Sequence, residues 1–211
     1  MIYSIDNIRQ DVRVVIDENR NDDSLFTEAD QDTLDLDEII VSKIEEAARV
    51  VARDAPLPLL DSGKPITSGI RIDDEGRGLI FLPDDFLRLL VFRMSDWECP
   101  VYNAITESSP EYGRQYSRYK GLRGTPQKPV VAIVMRQQGQ ALEFWACKSK
   151  KATLDQGRYY PLPTVDRDGG IDIAERIYRS VVYEAGALTL STLRQTDAAT
   201  VMSNIGKELL I

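Results

Sequence analysis

Four carboxylates stand close together in the stretch LPDDFLRLLVFRMSDWECPV, which spans residues 82–101: Asp84, Asp85, Asp96 and Glu98. Two carboxyl groups on either side of a substrate can act as general acid and general base, so the stretch is a candidate active site. The structural alternative is that these acids serve a joint between a helix and a strand.

The positions of the acids favour the structural alternative. Asp84 directly follows Pro83, where a carboxylate can cap a helix and complement its dipole. The apolar residues that follow at near-helical spacing are Phe86, Leu89, Leu90 and Phe92. The pattern therefore predicts a helix after Asp84 and a strand that starts at about Trp97 and Val101. Because adjacent residues on a helix do not face one another, Asp84 and Asp85 make a poor catalytic pair.

The residue types most used for metal binding and proton transfer are scarce. The chain has no histidine and only two cysteines, Cys99 and Cys147, so the commonest general base and metal ligand is missing. Two cysteines do not make a disulfide framework, and we expect both to be reduced after synthesis in a cytoplasm. Asp30 and Asp32 have the spacing that starts a calcium loop, but Leu34 and the missing glycine depart from that motif. The sequence predicts no catalytic residue, metal or cofactor.

The charge of the chain is concentrated at its N-terminal end. Of its 211 residues 43% are hydrophobic, which is enough for a packed core, and no apolar run approaches the ~20 residues of a membrane helix. Residues 1–38 carry twelve acids against three bases, a net −9, so the remaining residues carry +1 of the total −8. An acidic surface repels phosphate, which argues against nucleic acid as its partner.

A basic segment rich in tyrosine occupies residues 112–128, with five bases, three tyrosines and no acid. Such a composition can bind nucleic acid through phosphate contacts and stacking, can anchor a protein interface, or can belong to an ordinary surface helix and loop. The residues that we name as candidate interface residues are Arg114, Tyr116, Arg118, Tyr119, Lys120 and Arg123. Residues 21–38 carry only acids, so the two segments have complementary charge, which can set the orientation of a contact between proteins.

Apolar residues recur with the period of a helix near both chain ends. We expect one helix over about residues 5–20 with Ser4 as its cap, a second that stops near Asp54, and two more after Asp172. The stripes expected to be buried are Ile5, Ile8, Val12, Val15 and Ile16; Ile40, Ile44, Ala47, Ala48 and Val51; Ala174, Ile177, Val181, Ala185 and Leu188; and Val201, Ile205 and Leu209. Residues 21–37 are expected to form an acidic loop.

The middle of the chain alternates with the period of strands. It predicts a hairpin over residues 70–82, a second hairpin around residues 138–140, and an edge strand in GRYYPLPTV because of its prolines. The predicted class is α+β, a helical bundle built from both chain ends with an inserted antiparallel β-rich domain. The predicted boundaries are residues 1–60 and 170–211 for the bundle and 61–169 for the β-rich domain.

Several motifs follow one another in a familiar order. They are ARDAPLPLL, LPDDFLRLLVFRMSDW, GLRGTPQKPVVAIV, ALEFWACKS and YEAGALTLSTL. Over about residues 39–193 the chain resembles the head-to-tail connector proteins of tailed bacteriophages, which include adaptor proteins of the tail tubular A type and the ring proteins of crAss-like phages. The sharpest parts are residues 83–88, Trp97, and residues 124–126 with Pro129. Such motifs are structural, so the resemblance transfers no catalytic residue.

The resemblance implies a structural virion protein and not an enzyme. It implies a homo-oligomeric ring, typically a dodecamer, between a portal or another ring protein and a tail component, made in the bacterial host cytoplasm and found in the virion. Genomic DNA would pass through the ring without specific binding, which suits the acidic N-terminal part. The basic segment would be out of place on a channel wall, so we expect it at a contact with a neighbouring protein.

Two other classes of function stay open on the sequence. One is a small acid/base hydrolase that uses Asp84, Asp96 or Glu98 near Arg88 and Tyr102. The other is a nucleic-acid-binding module that uses residues 112–128. Size in solution separates them from a connector, because a ring former assembles whereas the other two would act as monomers.

Overall fold

A computed structural model describes residues 1–18 and 35–211, with only the backbone of Glu18 and of Lys120. The predicted α+β class is confirmed, since helices and largely antiparallel sheets are both present. The chain forms two compact units, one from Met1–Asp61 with Leu162–Ile211 and one from Ser62–Pro161. We refer to them as the helical unit and the β-rich unit. Across the described residues, no helix is long and apolar enough to cross a membrane.

The elements of the helical unit are β1 (Ile2–Ser4), α1 (Ile5–Glu18), α2 (Leu36–Asp54), β10 (Gly170–Asp172), α4 (Tyr178–Thr192) and α5 (Thr196–Glu208). Those of the β-rich unit are β2 (Lys64–Pro65), β3 (Ile70–Ile72), β4 (Gly78–Phe81), β5 (Phe86–Met94), β6 (Ile105–Thr106), α3 (Pro110–Arg114), β7 (Val131–Arg136), β8 (Gly139–Phe144) and β9 (Leu154–Pro161). Short 3-10 turns cover Leu57–Leu59, Lys120–Leu122 and Glu175–Ile177.

The helical unit buries the predicted stripes of α1 and α2. Ile8, Val12 and Ile16 on α1 are buried, as are Ile40 and Ile44 on α2, because their spacing puts them on one side of each helix. The helix α4 contacts α1, α2 and α5. The predicted end of the first helix at residue 20 lies outside the described residues, as does most of the predicted acidic loop, including Asp30 and Asp32. Leu36 and Asp37 of that loop belong to α2, so the loop prediction is wrong there.

Two predictions for the C-terminal helices are wrong. The stretch at Asp172 is not a helix start, because Gly170–Asp172 pairs antiparallel with Ile2–Ser4 and α4 begins only at Tyr178. The last helix buries its opposite face: Ala199, Met202 and Gly206 are buried, whereas Val201 and Leu209 of the predicted stripe are exposed. The small residues on that face let α5 approach α4 closely, which outweighs the hydrophobicity of the other stripe.

The β-rich unit contains two sheets with a main core and a smaller second cluster of buried side chains around Trp145. One sheet has the order β3-β4-β8-β7-β6 and the other the order β2-β9-β5. Both predicted hairpins are confirmed, as β3 with β4 and as β7 with β8. The core between them is aromatic, with Phe92 of β5, Phe144 of β8 and Trp97 in mutual contact at 5.1–5.9 Å between ring centroids.

The helix predicted after Asp84 is a strand. Phe86–Met94 forms β5, and two bulges in its pairing with β9, between Phe86 and Arg88 and between Leu89 and Val91, each insert one extra residue. Each bulge adds one residue to the two-residue repeat of a strand, so apolar side chains three apart return to the same face. Apolar residues three positions apart are also typical of one side of a helix, which explains the wrong prediction.

Three smaller expectations around this strand also change. No strand starts at Trp97, which follows a turn and fills the core, while Val101 makes a single bridge to Phe92. The strand β9 is central, between β2 and β5, and not at an edge. Its proline, Pro161, is the last residue of the strand, where a missing N–H interrupts no further pairing.

Candidate functional site

A buried carboxylate lies where the basic segment covers the five-stranded sheet. Glu143 belongs to β8, which pairs with β4 on one side and β7 on the other. Its side chain is only 5% exposed. A carboxylate taken out of water needs charged or hydrogen-bonding partners, since burial without them is costly. Glu143 and the side chains around it are therefore the candidate functional site of this unit.

Two phenols and two guanidinium groups surround Glu143. Tyr116 donates its hydroxyl proton to Oε1 at 2.7 Å, and Tyr112 donates to Oε2 at 3.0 Å. The Nη2 of Arg136 donates to Oε2 at 2.7 Å, and the Nε of Arg77 lies 3.8 Å from Oε1. The two phenol oxygens are 3.1 Å apart. Because each phenol has one proton and both protons go to Glu143, the carboxylate binds the two tyrosines together.

The local sequence explains why both tyrosines point at Glu143. Tyr112 lies on the short helix α3 and Tyr116 follows four residues later, so the two share one side of the turn. Both rings pack edge-to-face on Trp145, at 5.7 and 6.0 Å between centroids. Gln115 between them is buried, and its Oε1 accepts the backbone N–H of Gly124 at 2.7 Å. The two tyrosines thus fasten the segment to the sheet, and Gln115 joins two parts of the segment to each other.

We call Glu143 with Tyr112, Tyr116, Arg77 and Arg136 the Glu143 cluster, and its contacts shift the pKa values of Tyr116 and Arg136. Burial, followed by the hydrogen bonds to Tyr112 and Glu143, raises the pKa of Tyr116. The hydrogen bond to Tyr112, together with the nearby charges of Glu107 and Glu143, raises the pKa of Arg136. Tyr116 therefore stays neutral and Arg136 stays charged at any physiological pH. This arrangement surrounds Glu143 with hydrogen-bond donors and positive charge.

Clefts lie on two sides of the Arg77 side chain. The first has a volume of about 230 Å³ and is lined by Arg77, Tyr116, Arg123 and Trp145, among others. The second has a volume of about 450 Å³ and reaches Arg136 and Glu143. The guanidinium carbon of Arg77 lies 5.6 Å from the centre of the Tyr116 ring. Both clefts thus combine cationic, acidic and aromatic side chains, with Glu75 in the first and Asp73 and Glu143 in the second.

The predicted interface residues have different surroundings. Tyr116 is half-exposed but belongs to the Glu143 cluster, and Arg123 donates its Nε proton to the Ser117 carbonyl. Arg118 lies over the ring of Tyr119, with 5.1 Å from its guanidinium carbon to the ring centre. Arg114 ends α3 and is exposed. The side chain of Lys120 lies outside the described part, and the interface itself stays a prediction.

The acids of the opening stretch bind separate partners. Asp85 accepts hydrogen bonds from Tyr159 and from Lys64, each at 2.7 Å. Asp96 accepts the backbone N–H groups of Lys148 and Ser149, and Glu98 accepts from Gln127 at 2.7 Å. Asp84 is exposed and, like the others, caps no helix. The carboxylates of the candidate acid/base pair therefore hold neighbouring segments in place.

The sequence reasoning missed Glu143 and Arg136. One signal was present, since Glu143 is the only charged residue between Ala141 and Cys147 in an apolar run. A lone acid in a strand that must be buried implies a buried cationic or hydroxyl partner. The identity of that partner required the fold, because Tyr116 precedes Glu143 by 27 residues and Arg136 lies on the neighbouring strand β7.

No protein-family model matches the chain, and no curated protein matches it.

Proposed function

We propose that this chain is a structural subunit of a phage head-to-tail connector, a virion ring that links the portal, or another ring protein, to a tail component. The ring is a homo-oligomer, with twelve copies implied by the resemblance, and genomic DNA passes through it without specific binding. The proposed role is assembly and not catalysis. It agrees with the contacts of Asp85, Asp96 and Glu98, each of which binds a separate structural partner.

The observation that carries the proposal is an apolar stripe on the outward side of α5. Val201 is 51% exposed, Leu209 is also exposed and Ile205 is half-buried, while Met202 on the opposite side is fully buried. Residues four apart share one side of a helix, so the three form a continuous stripe. A helix that leaves such a stripe in water is typical of a surface that a partner covers. We assign that partner as a second copy of the chain.

The charge distribution supports the same function. The net −9 of residues 1–38 suits a conduit whose cargo is polyanionic. Exposed apolar and aromatic side chains of the β-rich unit, including Tyr119 and Leu122, are of the types favoured as interface anchors. Subunits of a ring contact each other through two different surfaces. The apolar stripe on α5 and the exposed side chains of the β-rich unit provide two such surfaces on one chain.

The test is the size of the purified chain by sedimentation velocity, alone and with its portal, followed by negative-stain imaging of the particles. We expect rings or portal-bound rings, whose stability falls as salt screens the charged contacts over a length of about 8 Å. Val201→Asp should reduce assembly, whereas Thr200→Asp, an exposed neighbour off the stripe, should not. A chain that stays monomeric in every condition would overturn the proposal, and specific binding of single-stranded DNA by that monomer would favour a nucleic-acid-binding module.

A further inference from the structure

The outward side of α5 is acidic as well as apolar. It carries the apolar stripe, in which Val201 is 51% exposed. Asp197 lies four residues before Val201 and Glu208 seven residues after it, so both carboxylates lie on the side of the stripe, and both are exposed. Lys207 is the only base in the sequence of α5, and it lies about 120° around the helix from Val201. The helix therefore presents apolar and negatively charged side chains together.

A second exposed surface lies on the 3-10 turn of the basic segment. Tyr119 is 61% exposed and Leu122 is 55% exposed. The N–H of Leu122 donates to the Tyr119 carbonyl at 3.0 Å, and side chains three residues apart in such a turn lie on the same side of it. The guanidinium group of Arg118 lies over the Tyr119 ring. We call Arg118, Tyr119 and Leu122 the Tyr119 patch, and it combines apolar, aromatic and positively charged groups.

The charge around the Tyr119 patch is opposite to that around α5. Arg114 and Lys128 of the same segment are exposed, and no acid lies between residues 112 and 128. The β-rich unit has fifteen bases and eleven acids in residues 62–161, a net +4, so the remaining residues carry −12 and the whole chain −8. Opposite charges around two apolar surfaces favour their contact and set its orientation.

Contact of either surface with the same surface of a second copy is unfavourable. Such a contact is what a two-fold dimer requires. Two α5 stripes would bring Asp197 and Glu208 of both copies together without a base on the same side of either helix. Two Tyr119 patches would bring the Arg118 side chains of both copies together, and like charges that meet across an interface cost free energy. The stripe against the patch avoids both repulsions and still buries the apolar side chains of both surfaces.

We propose that the apolar stripe of α5 in one copy of the chain binds the Tyr119 patch of a second copy. Tyr119 and Leu122 pack against the stripe, and Arg118 lies near its flanking carboxylates. Tyrosine and arginine are the side chains most used as anchors of protein interfaces. The assignment rests on the proposed homo-oligomer and names the two different surfaces that a ring contact joins, so each copy uses its stripe toward one neighbour and its patch toward the other.

The experiment mixes two variants of the full-length chain that cannot assemble alone. Val201→Asp blocks the stripe and Leu122→Asp blocks the patch, and each variant should stay monomeric at concentrations at which the parent assembles. Mixed in equal amounts, the two should form a one-to-one heterodimer and nothing larger, because only one intact stripe and one intact patch are present. Both substitutions add an acid, so the two blocked surfaces repel each other. Sedimentation velocity and native mass spectrometry, with one variant isotope-labelled, measure the composition.

Matched substitutions control for the added charge. Thr200→Asp lies on α5 off the stripe, and Met135→Asp lies in the β-rich unit outside the basic segment at a side chain that is 70% exposed. Both should assemble like the parent, and circular dichroism checks that all four variants keep the fold. The positions are exposed, so each is expected to change the stability of the isolated chain little.

A photo-crosslink locates the contact directly. The photoreactive amino acid p-benzoylphenylalanine in place of Tyr119 should capture peptides of α5 from a second copy, identified by mass spectrometry of mixed labelled and unlabelled chains. The same amino acid in place of Tyr102, which is 53% exposed in the β-rich unit, should not capture them. If the parent assembles only with its portal, the crosslink is measured on the portal-bound rings.

Each outcome decides between the contact and the ring. If the parent assembles and Leu122→Asp assembles equally well, or the mixture gives no heterodimer, the contact is wrong and the ring proposal stands. A crosslink from position 119 that reaches only its own chain, or another part of the second copy, also overturns the contact. A parent that stays monomeric in every condition, with and without its portal, overturns both the ring and the contact.

Discussion

The hydroxyl of Tyr116 lies 2.7 Å from Oε1 of Glu143, although the two residues are 27 positions apart in the chain. This bond ties the basic segment to the middle of the five-stranded sheet. The segment therefore serves partly as an internal brace, because its tyrosines satisfy a carboxylate that β8 buries. Its outward side, with Arg118 and Tyr119, is the part that stays exposed for other contacts.

Removal of the Tyr116 hydroxyl should destabilise the protein. In Tyr116→Phe, the Oε1 atom of Glu143 loses its close donor inside the fold, which is expected to cost about 1–3 kcal/mol of the free energy of unfolding. Tyr119→Phe makes the same chemical change at a side chain that is 61% exposed, and it should stay within about 0.5 kcal/mol of the parent. Urea unfolding of the two variants measures the difference. Equal stabilities would show that the Glu143 cluster does not brace the unit.

The contacts of Asp85 predict a loss of stability in acid. Burial raises the pKa of Asp85, but the hydrogen bonds from Lys64 and Tyr159 outweigh it, so the pKa lies below the ordinary value. A depressed pKa in the folded state contributes stability above the unfolded pKa of about 3.9, and this stability is lost as the pH falls through the folded value.

Asp85→Asn should therefore lower stability at neutral pH by about 1 kcal/mol, discounted for the partial exposure of the pair, and flatten the dependence on pH below about 4. Asp84→Asn, at the exposed neighbour, is the control. Unfolding measured between pH 2 and pH 7 checks both. A pH profile of Asp85→Asn that runs parallel to the parent would contradict the assignment.

Trp97 should be the most sensitive position of the β-rich core. Its side chain is 2% exposed and contacts Phe92 and Phe144, so Trp97→Ala is expected to cost about 3–5 kcal/mol through the cavity it leaves. Trp97→Phe should cost much less, because it keeps an aromatic ring in the core and leaves a smaller cavity. Thermal unfolding measures the stability of the two variants. If Trp97→Phe were as unstable as Trp97→Ala, the packing described here would be contradicted.

A glycine at position 194 should stabilise the helical unit. Arg194 has φ = 62°, and it follows α4 in the turn where the N–H of Gln195 bonds to the carbonyl of Leu190. This left-handed position favours glycine, so Arg194→Gly should gain about 0.5–1 kcal/mol in the free energy of unfolding. Gln195→Gly is the control, since φ is −90° there and glycine only adds freedom to the unfolded chain. If Arg194→Gly lowered the free energy of unfolding, the backbone at residue 194 would not be strained.

The two cysteines should react at very different rates. Both are free, Cys99 is exposed and Cys147 is buried. Burial, together with the charge of Asp96, raises the pKa of Cys147 to about 12. Because the thiolate is the reactive form, a maleimide at neutral pH should label only Cys99 until the protein is unfolded. Mass spectrometry of peptides from the labelled protein identifies the site, and rapid labelling of Cys147 would show that the core opens.

The sequence by itself determined the elements whose pattern is local. The helical stripes at Ile8, Val12 and Ile16 and at Ile40 and Ile44, and the two hairpins, follow from periodicity and turn residues that act over a few positions. The α+β class followed from where these two periods lie along the chain.

Only the tertiary structure decided which side of each element meets a partner. The spacing of Phe86, Leu89 and Phe92 imitates a helix, and only pairing with β9 creates the bulges that explain it. The buried side of α5 is set by close packing of Gly206 and Met202 against α4, although Val201 and Leu209 are more hydrophobic than Gly206. The Glu143 cluster likewise joins residues that are far apart in the sequence. Short-range patterns in the sequence do not show which donor will contact a buried acid.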